Sequence, residues 1–237
     1  ASRMQGNGGW SLSQIEVHGP LRFPNDQPVD ATVELTSQNG DFTATLQSYF
    51  RNAAGHVSPK PRVHFTAKIE TATTPGTAQF EGALRDAELA GLRDVAIRDD
   101  LVLYHGPIFR MVRKIAIHGD QAVAAIDVPS VAEVAGNDRS VLGWITSPAV
   151  LDACLFAAGI QLYVAHDGAV SVPMGIERLE ILRPCCEGET VWLRVLNRTV
   201  QQNEGRFDFA LLDARGQTLL RAWGYRAAIV SRSTPAA

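Results

Sequence analysis

Cysteine is scarce in this chain. Only Cys154, Cys185 and Cys186 occur among 237 residues. An odd count with two neighbours adjacent is a poor disulfide framework and fits a reducing compartment, so a cytoplasmic location is expected. None of the three has metal-ligand spacing. All are expected to be small buried hydrophobes, and no metal is expected. Charge of one sign is lacking too: a net charge of -3 gives no reason to expect nucleic acid or an anionic membrane as partner. No apolar run approaches the length of a membrane span, and no secretory signal opens the chain. Gly-x-Ser-x-Gly elbows, phosphate-cradling glycine loops and zinc signatures are absent. The glycines between Gly6 and Gly9 precede a strand and not a helix, so they are no dinucleotide fingerprint.

What is present is period-two alternation. Leu12, Ile15 and Val17 begin it, followed by runs at Asp30 to Thr36, Phe42 to Phe50 and Arg62 to Glu70. Turn signals such as Gln38-Asn39-Gly40 separate them, which predicts an antiparallel sheet. The pattern weakens between Thr73 and Asp100, where only Ala87 to Arg93 suggests a short helix. It resumes with Ile108 to His118 and Ala122 to Val128, joined at His118-Gly119-Asp120. Four further strands are expected, at about Ala169 to Arg183, Thr190 to Thr199, Arg206 to Asp213 and Thr218 to Val230. The spacing divides the chain into an N-terminal half at 1–80, a linker at 81–100 and a C-terminal half at 101–237. Ala1 to Gly9 reads as the frayed end of a helix with nothing in front of it, so the natural polypeptide is expected to continue upstream.

One stretch breaks the strand rhythm. Ser147 is a good N-cap and Pro148 suits the first helical position. Apolar residues then fill almost every place to Gly159, so the helix is expected to be wrapped on all sides. Asp152 is the only acidic or basic residue, histidine aside, between Arg139 and His166. A carboxylate there is costly to bury unless paired or used. It faces a watery gap, meets an arginine from elsewhere, or does chemistry. A sheet enclosing one apolar helix is the hot-dog arrangement, and two such halves make a double hot dog of the α+β class. The first helix is expected to be truncated.

Three segments resemble the dehydratase domains of polyketide synthases and the related domains of polyunsaturated fatty-acid synthases. Ser147-Pro148-Ala149-Val150-Leu151-Asp152-Ala153 is similar to the family's His-Pro-Ala-Leu-Leu-Asp-Ala, whose aspartate is catalytic. Tyr104-His105-Gly106-Pro107-Ile108-Phe109 is similar to its Tyr-Gly-Pro-x-Phe segment at the start of the second hot dog. Val172-Pro173-Met174-Gly175-Ile176 sits where the family has a strand lining the acyl tunnel. The resemblance implies removal of water from a 3-hydroxyacyl thioester carried on the phosphopantetheine arm of an acyl carrier protein, with no cofactor of the domain's own. Asp152 would be the acid, because a carboxyl group in an apolar pocket holds its proton closer to neutrality. Tyr104, His105, Gly106, Pro107, Phe156 and Pro173 would contact the substrate, with backbone N–H groups near Gly106 polarising the thioester. The implied partners are the carrier protein and other synthase domains, with a homodimer left open.

The departures are specific. The family's base is the histidine of a His-x-x-x-Gly-x-x-x-x-Pro motif. None of the six histidines here has glycine four residues on; that offset holds Arg22, Lys60, Lys68, Phe109, Ala122 and Val170. His18 falls in the strand that follows the first helix in the family and is not a candidate base. Phe156 occupies the place, four residues after the aspartate, where the family tends to have Gln or His. His105 replaces a tyrosine and Ser147 a histidine. Each supporting residue also has a plainer role: Tyr104, Phe109 and Phe156 as core, Gly106 and Pro107 as backbone shape, His105 as a turn former. Trp144 and Trp192 are expected to pack, and Arg178 and Arg183 to be solvated. Two other functions fit the same frame, namely a non-catalytic acyl-binding or dimerising domain and a double-bond isomerase or cyclase.

Overall fold

A computed structural model describes residues 10–23, 29–38, 40–50, 56–71, 80, 82–95, 106–136 and 144–232. Ala1 to Gly9, Tyr104 and His105 lie outside them, as does Thr74 to Thr77. The strands are β1 (Trp10–Val17), β2 (Ala31–Gln38), β3 (Asp41–Ser48), β4 (Arg62–Thr71), β5 (Arg93–Asp94), β6 (Val112–His118), β7 (Gln121–Asp127), β8 (Ala169–Ile181), β9 (Thr190–Gln201), β10 (Glu204–Leu212) and β11 (Thr218–Arg232). They form one sheet in the order β2-β3-β4-β1-β8-β11-β10-β9-β7-β6-β5. Every pairing is antiparallel. The helices are α1 (Asp86–Leu89), α2 (Val131–Ala135) and α3 (Pro148–Ala165).

Alternation decides which side chains meet the helix. On β9, Val191, Leu193 and Val195 point into the main core with α3, while Trp192 and Leu196 pack with Phe80, Ala210 and Leu212 on the outer face. The halves join where β1 pairs with β4 on one side and β8 on the other. Buried charges cross that seam. Glu180 accepts from Arg221 Nε at 2.6 Å and from Arg178 Nε at 2.9 Å. Arg178 approaches Glu70 at 3.7 Å, and Ser13 Oγ donates to Glu70 at 2.6 Å. Arg226 reaches from β11 across β8 to Glu16 on β1. Gly175 lies beneath that crossing. A Cβ there would stand 2.9 Å from the Arg226 guanidinium and 2.4 Å from the Ile15 carbonyl.

Residues 80 and 82–95, the latter within the linker expected at 81–100, lie strapped to the outer face of the second half. Arg194 donates to the carbonyls of Phe80, Gly82 and Ala83 at 2.7, 3.0 and 3.1 Å, and to Glu88 at 2.9 and 3.2 Å. The short helix ends at Leu89, and Arg93–Asp94 becomes an edge strand on β6. The strand expected from Ile108 starts at Val112; Pro107–Phe109 is a 3-10 turn, since proline fixes φ and gives the ladder no N–H. The unforeseen α2 begins at Ser130, whose side chain and that of Glu133 form a reciprocal capping box. Cys154 is buried, but Cys185 is only half-buried and Cys186 is exposed, because the pair sits in the loop after β8. At 18 residues α3 is long and apolar enough by composition to span a membrane, contrary to expectation; here one face lies on the sheet.

Candidate active site

Helix α3 has two faces, so it is not wrapped all round. Ala149, Val150, Ala153, Cys154, Ala157, Ala158, Gln161 and Leu162 are buried at strict i, i+4 intervals. Small residues dominate this stripe and let the helix axis approach the sheet. The adjoining stripe, Leu151, Asp152, Leu155, Phe156, Gly159 and Ile160, is half-buried. Its only charged member is Asp152. Ser147 starts the helix without a side-chain cap bond, leaving Pro148 at the first turn to set the backbone. The far end is anchored. Gln161 Nε2 donates to the Gly119 carbonyl at 2.9 Å, and Asn197 Nδ2 reaches Gln161 Oε1 at 3.4 Å.

Register along α3 locates Asp152. A Cβ on Gly159 would lie 3.8 Å from Ser171 Oγ, and β8 runs back antiparallel to the helix. Seven residues towards the helix start is about 10 Å, which is about three residues along a strand. Asp152 therefore stands level with about Met174 of β8, next to Gly175 and Ile176, which pair with Arg226 and Tyr225 of β11. Its Oδ2 is removed from solvent. Its negative charge, after burial, raises the Tyr225 phenol, and it contributes after burial and Cys185 to raising the Cys154 thiol. Burial also pushes Cys185 up to about 11, with Glu189 and Cys186 adding to it. These thiols are thus protonated and poor nucleophiles near neutrality.

The other expected contacts divide. The turn Pro107–Phe109 packs on α3, so the Gly-Pro segment and the aspartate helix are neighbours. A Cβ on Gly106 would meet nothing within 4 Å, so the residue borders open space. The Phe109 amide is spent on the Gly106 carbonyl at 2.9 Å and is no donor to a thioester. Phe109, expected in the core, is 36% exposed, and Trp144, expected to pack, is similarly exposed. Phe156 is half-buried against the core, one helical turn beyond Asp152. Pro173 is exposed on β8 at the level of the aspartate. Arg183, expected as a solvated strand end, bonds Asp213 at 3.1 Å, and Arg178 is held by Glu180. Three of the described histidines have other work. His64 is buried with Nε2 2.7 Å from Ser48 Oγ, and His18 Nε2 lies 2.9 Å from Thr66 Oγ1. His166 closes α3 about 20 Å along the axis from Asp152. A depression of about 430 Å³ lies elsewhere, beside Phe80, Glu88 and Arg194 on the outer face. Sequence reasoning did not single out Tyr225, the buried phenol that the Asp152 charge reaches; the small-residue spacing of β11 hid it.

Comparison with known proteins follows the same segments. The family model described as polyketide synthase dehydratase N-terminal domain matches residues 99–237. Polyketide synthase PksN of Bacillus subtilis is 28% identical over 121 residues, which is 51% of this chain and 2% of that protein. Among solved structures, the dehydratase domain from the CurJ module of the curacin polyketide synthase aligns with a TM-score of 0.71 at 18% identity, over 93% of this chain and 75% of that one. A trans-acyltransferase synthase dehydratase domain from Brevibacillus brevis gives 0.72 at 19% identity, over 98% and 79%. A trans-acyltransferase polyketide synthase enoyl-isomerase gives 0.69 at 12%, over 93% and 81%. At such identities the likeness shows the fold, a double hot dog. Together with the family match over more than half its length, it places this chain in the polyketide synthase dehydratase family.

Proposed function

We propose that the domain removes water from a 3-hydroxyacyl thioester carried by an acyl carrier protein within a cytoplasmic synthase, with Asp152 as the acid. The observation that carries the reading is the placement of Asp152: the one charged residue on the half-covered apolar stripe of α3, at the position matching the family's aspartate, with Oδ2 out of solvent. In the reaction a base takes the α-proton, which the thioester carbonyl acidifies. Asp152 protonates the leaving β-hydroxyl. The C–O bond breaks, the α,β double bond forms and water departs. The apolar residues Leu151, Leu155 and Phe156 suit an acyl chain beside the acid. The family's histidine motif is matched nowhere in these 237 residues, so the reading assigns the base to no residue of this chain.

The test is conversion of 3-hydroxyacyl carrier-protein thioesters followed by mass spectrometry. Asp152→Asn keeps shape and volume and should lower turnover by roughly a hundredfold to ten-thousandfold, with the fold intact. Undiminished turnover in that variant would mean that the wrong residue has been chosen. A second reading draws on the unmatched histidine motif and on Phe156, which cannot hydrogen-bond where the family tends to have Gln or His. On it the domain binds acyl chains without dehydrating them, or moves a double bond as the isomerase neighbour's name suggests. Isomerisation without loss of water, or tight acyl binding without any product, would favour it.

A further inference from the structure

Adjacent cations on β6, which alternation would send to opposite faces, are both exposed. Val112 pairs with Ile126 of β7 and Lys114 with Ala125, so Arg113 is an extra residue in the ladder, a β-bulge. Val112 and Ile126 face the core, and so do Ile115 and its partner Ala124. Without the bulge Lys114 would follow Val112 inwards, because alternate residues share a face. With it, Arg113 and Lys114 stand exposed between the buried Val112 and Ile115. The bulge is fastened on both sides. The Val95 amide donates to the Arg113 carbonyl at 3.0 Å, and the Asp127 amide to the Met111 carbonyl at 3.2 Å. The Arg113 side chain is held outward by Asp127, which accepts from its Nε at 2.8 Å and from Thr190 Oγ1 at 3.0 Å.

Around this bulge lies a depression of about 490 Å³, lined by Asp94, Val95, Arg110, Val112, Arg113 and Lys114. Three cations thus meet one carboxylate, in a chain whose net charge is -3. Lys114 comes only within 3.9 Å of Asp94, and the two side chains are 54% and 87% exposed, so that pair holds Lys114 weakly. The floor is apolar: Val112 is buried and Val95 packs on the main core. The depression sits towards the acid-bearing end of α3. Gln161, near the other end, is bonded to Gly119 in the β6–β7 turn. Nine residues back along the helix is about 14 Å, or about four residues of strand, which brings Asp152 level with about Ile115. Helix α3 packs on β6 and on the Pro107–Phe109 turn, and Arg110 follows that turn directly. Gly106, ahead of the turn, borders open space. Guanidinium forks and an ammonium around an open depression with an apolar floor suit a phosphate that carries an organic chain.

We propose that the carrier protein docks at this depression: Arg110, Arg113 and Lys114 hold the phosphodiester at the root of its arm, and the arm runs past Gly106 to the Asp152 end of α3. The identity of the partner rests on the dehydratase reading, whereas the phosphate contact is measured without turnover. Amide resonances of the domain are followed by NMR against phosphopantetheine, pantetheine and inorganic phosphate. Phosphopantetheine should shift residues 93–95 and 110–114 and bind about fivefold or more tightly than either of the others, the margin of one exposed ion contact. Lys114→Gln should weaken that binding about threefold, and Arg110→Gln combined with Lys114→Gln about tenfold. Holo carrier protein should bind better than its apo form, which lacks the arm and its phosphate, and the double variant should lose that preference. Equal shifts with pantetheine and phosphopantetheine, parent-like binding in the double variant, or equal binding of holo and apo carrier would each overturn the proposal. So would inorganic phosphate matching phosphopantetheine, the mark of an anion patch with no carrier role. Turnover of 3-hydroxyacyl carrier-protein thioesters is read separately. Holo-specific docking without turnover would remove the dehydratase reading and keep the site; turnover without holo preference would remove the site and keep the reading.

Discussion

The two halves of this sheet share a strand pattern and differ in what the pattern buries. In the second half, Leu193, Val195, Phe207, Phe209 and Leu211 disappear beneath α3. In the first half, the same alternation on β2 leaves Val33 63% and Leu35 55% exposed. Among the described residues, α1 and α2 span four and five residues, so α3 is the one helix long enough to fill a concave sheet face. Alternation thus supplies a potential core face, and a helix converts it into a core. The candidate site follows the helix: Asp152, its apolar neighbours and the Gly106–Phe109 turn all belong to the second half.

Paired truncations test the comparison most directly. Phe209→Ala in the second half should cost about 3–5 kcal/mol, the usual range for an aromatic removed from a packed core. Leu35→Ala in the first should cost no more than about 0.5 kcal/mol. Denaturant unfolding of the two variants, read by midpoint at constant slope, measures both. Equal losses would mean that the first half is as tightly covered as the second.

The seam sharpens the comparison by asking whether the halves stand or fall together. Glu180 is almost completely buried and neutralises Arg221, which also stacks over Trp223 at 5.0 Å. Glu180→Ala removes the buried carboxylate that both Arg221 and Arg178 bond, at a cost of roughly 3 kcal/mol. Amide exchange is the informative measurement. Faster exchange on both β1 and β11 is expected, because Arg178 and Glu70 carry the network across to the first half. Faster exchange confined to β8 and β11 would show that the halves unfold independently.

The second half was the more legible in sequence for the same physical reason. Its helix combines an N-cap position, proline at N1 and an unbroken apolar run, each a local signal. Strand existence was legible throughout, because period two is local as well. What escaped was non-local. The apolar residues of the strap follow no sustained helix or strand period, and its order comes from Arg194, more than a hundred residues later. The left-handed backbone of Gln14 in β1 is set by the strands on either side, and nothing in its local sequence marks it. Asp152 was legible because a lone acid on an apolar helix is a local anomaly, whereas the exposure of Phe109 depended on where the turn after Gly106 would lie.

The strap gives the smallest effect and a distinct signature in pH. Burial by itself would push the Glu88 carboxyl up. The Arg194 hydrogen bonds, those from the Arg85 backbone and side chain, and the Arg194 charge outweigh it and hold Glu88 at about 2 against an ordinary 4.5. A carboxyl lowered on folding adds stability that is complete above its unfolded value and is lost as pH falls towards its folded one. The Glu88 contribution should therefore be intact at pH 6 and decline between about 4.5 and 2. Its size is on the order of 1–3 kcal/mol, since a unit of pKa is worth about 1.4 kcal/mol and the strap lies near the surface. Arg194→Met removes the charge and all five donated bonds while keeping an apolar stem over Phe80. Part of the loss should therefore appear at every pH, and the decline between 4.5 and 2 should flatten. Glu88→Gln should flatten the same window with a smaller loss at pH 6, because the strap carbonyls keep their arginine. Unfolding midpoints of the three proteins at pH 6, 4 and 3 separate the contributions. A parent-like decline in Glu88→Gln would assign the acid sensitivity to other carboxylates and leave the strap held by its backbone carbonyls alone.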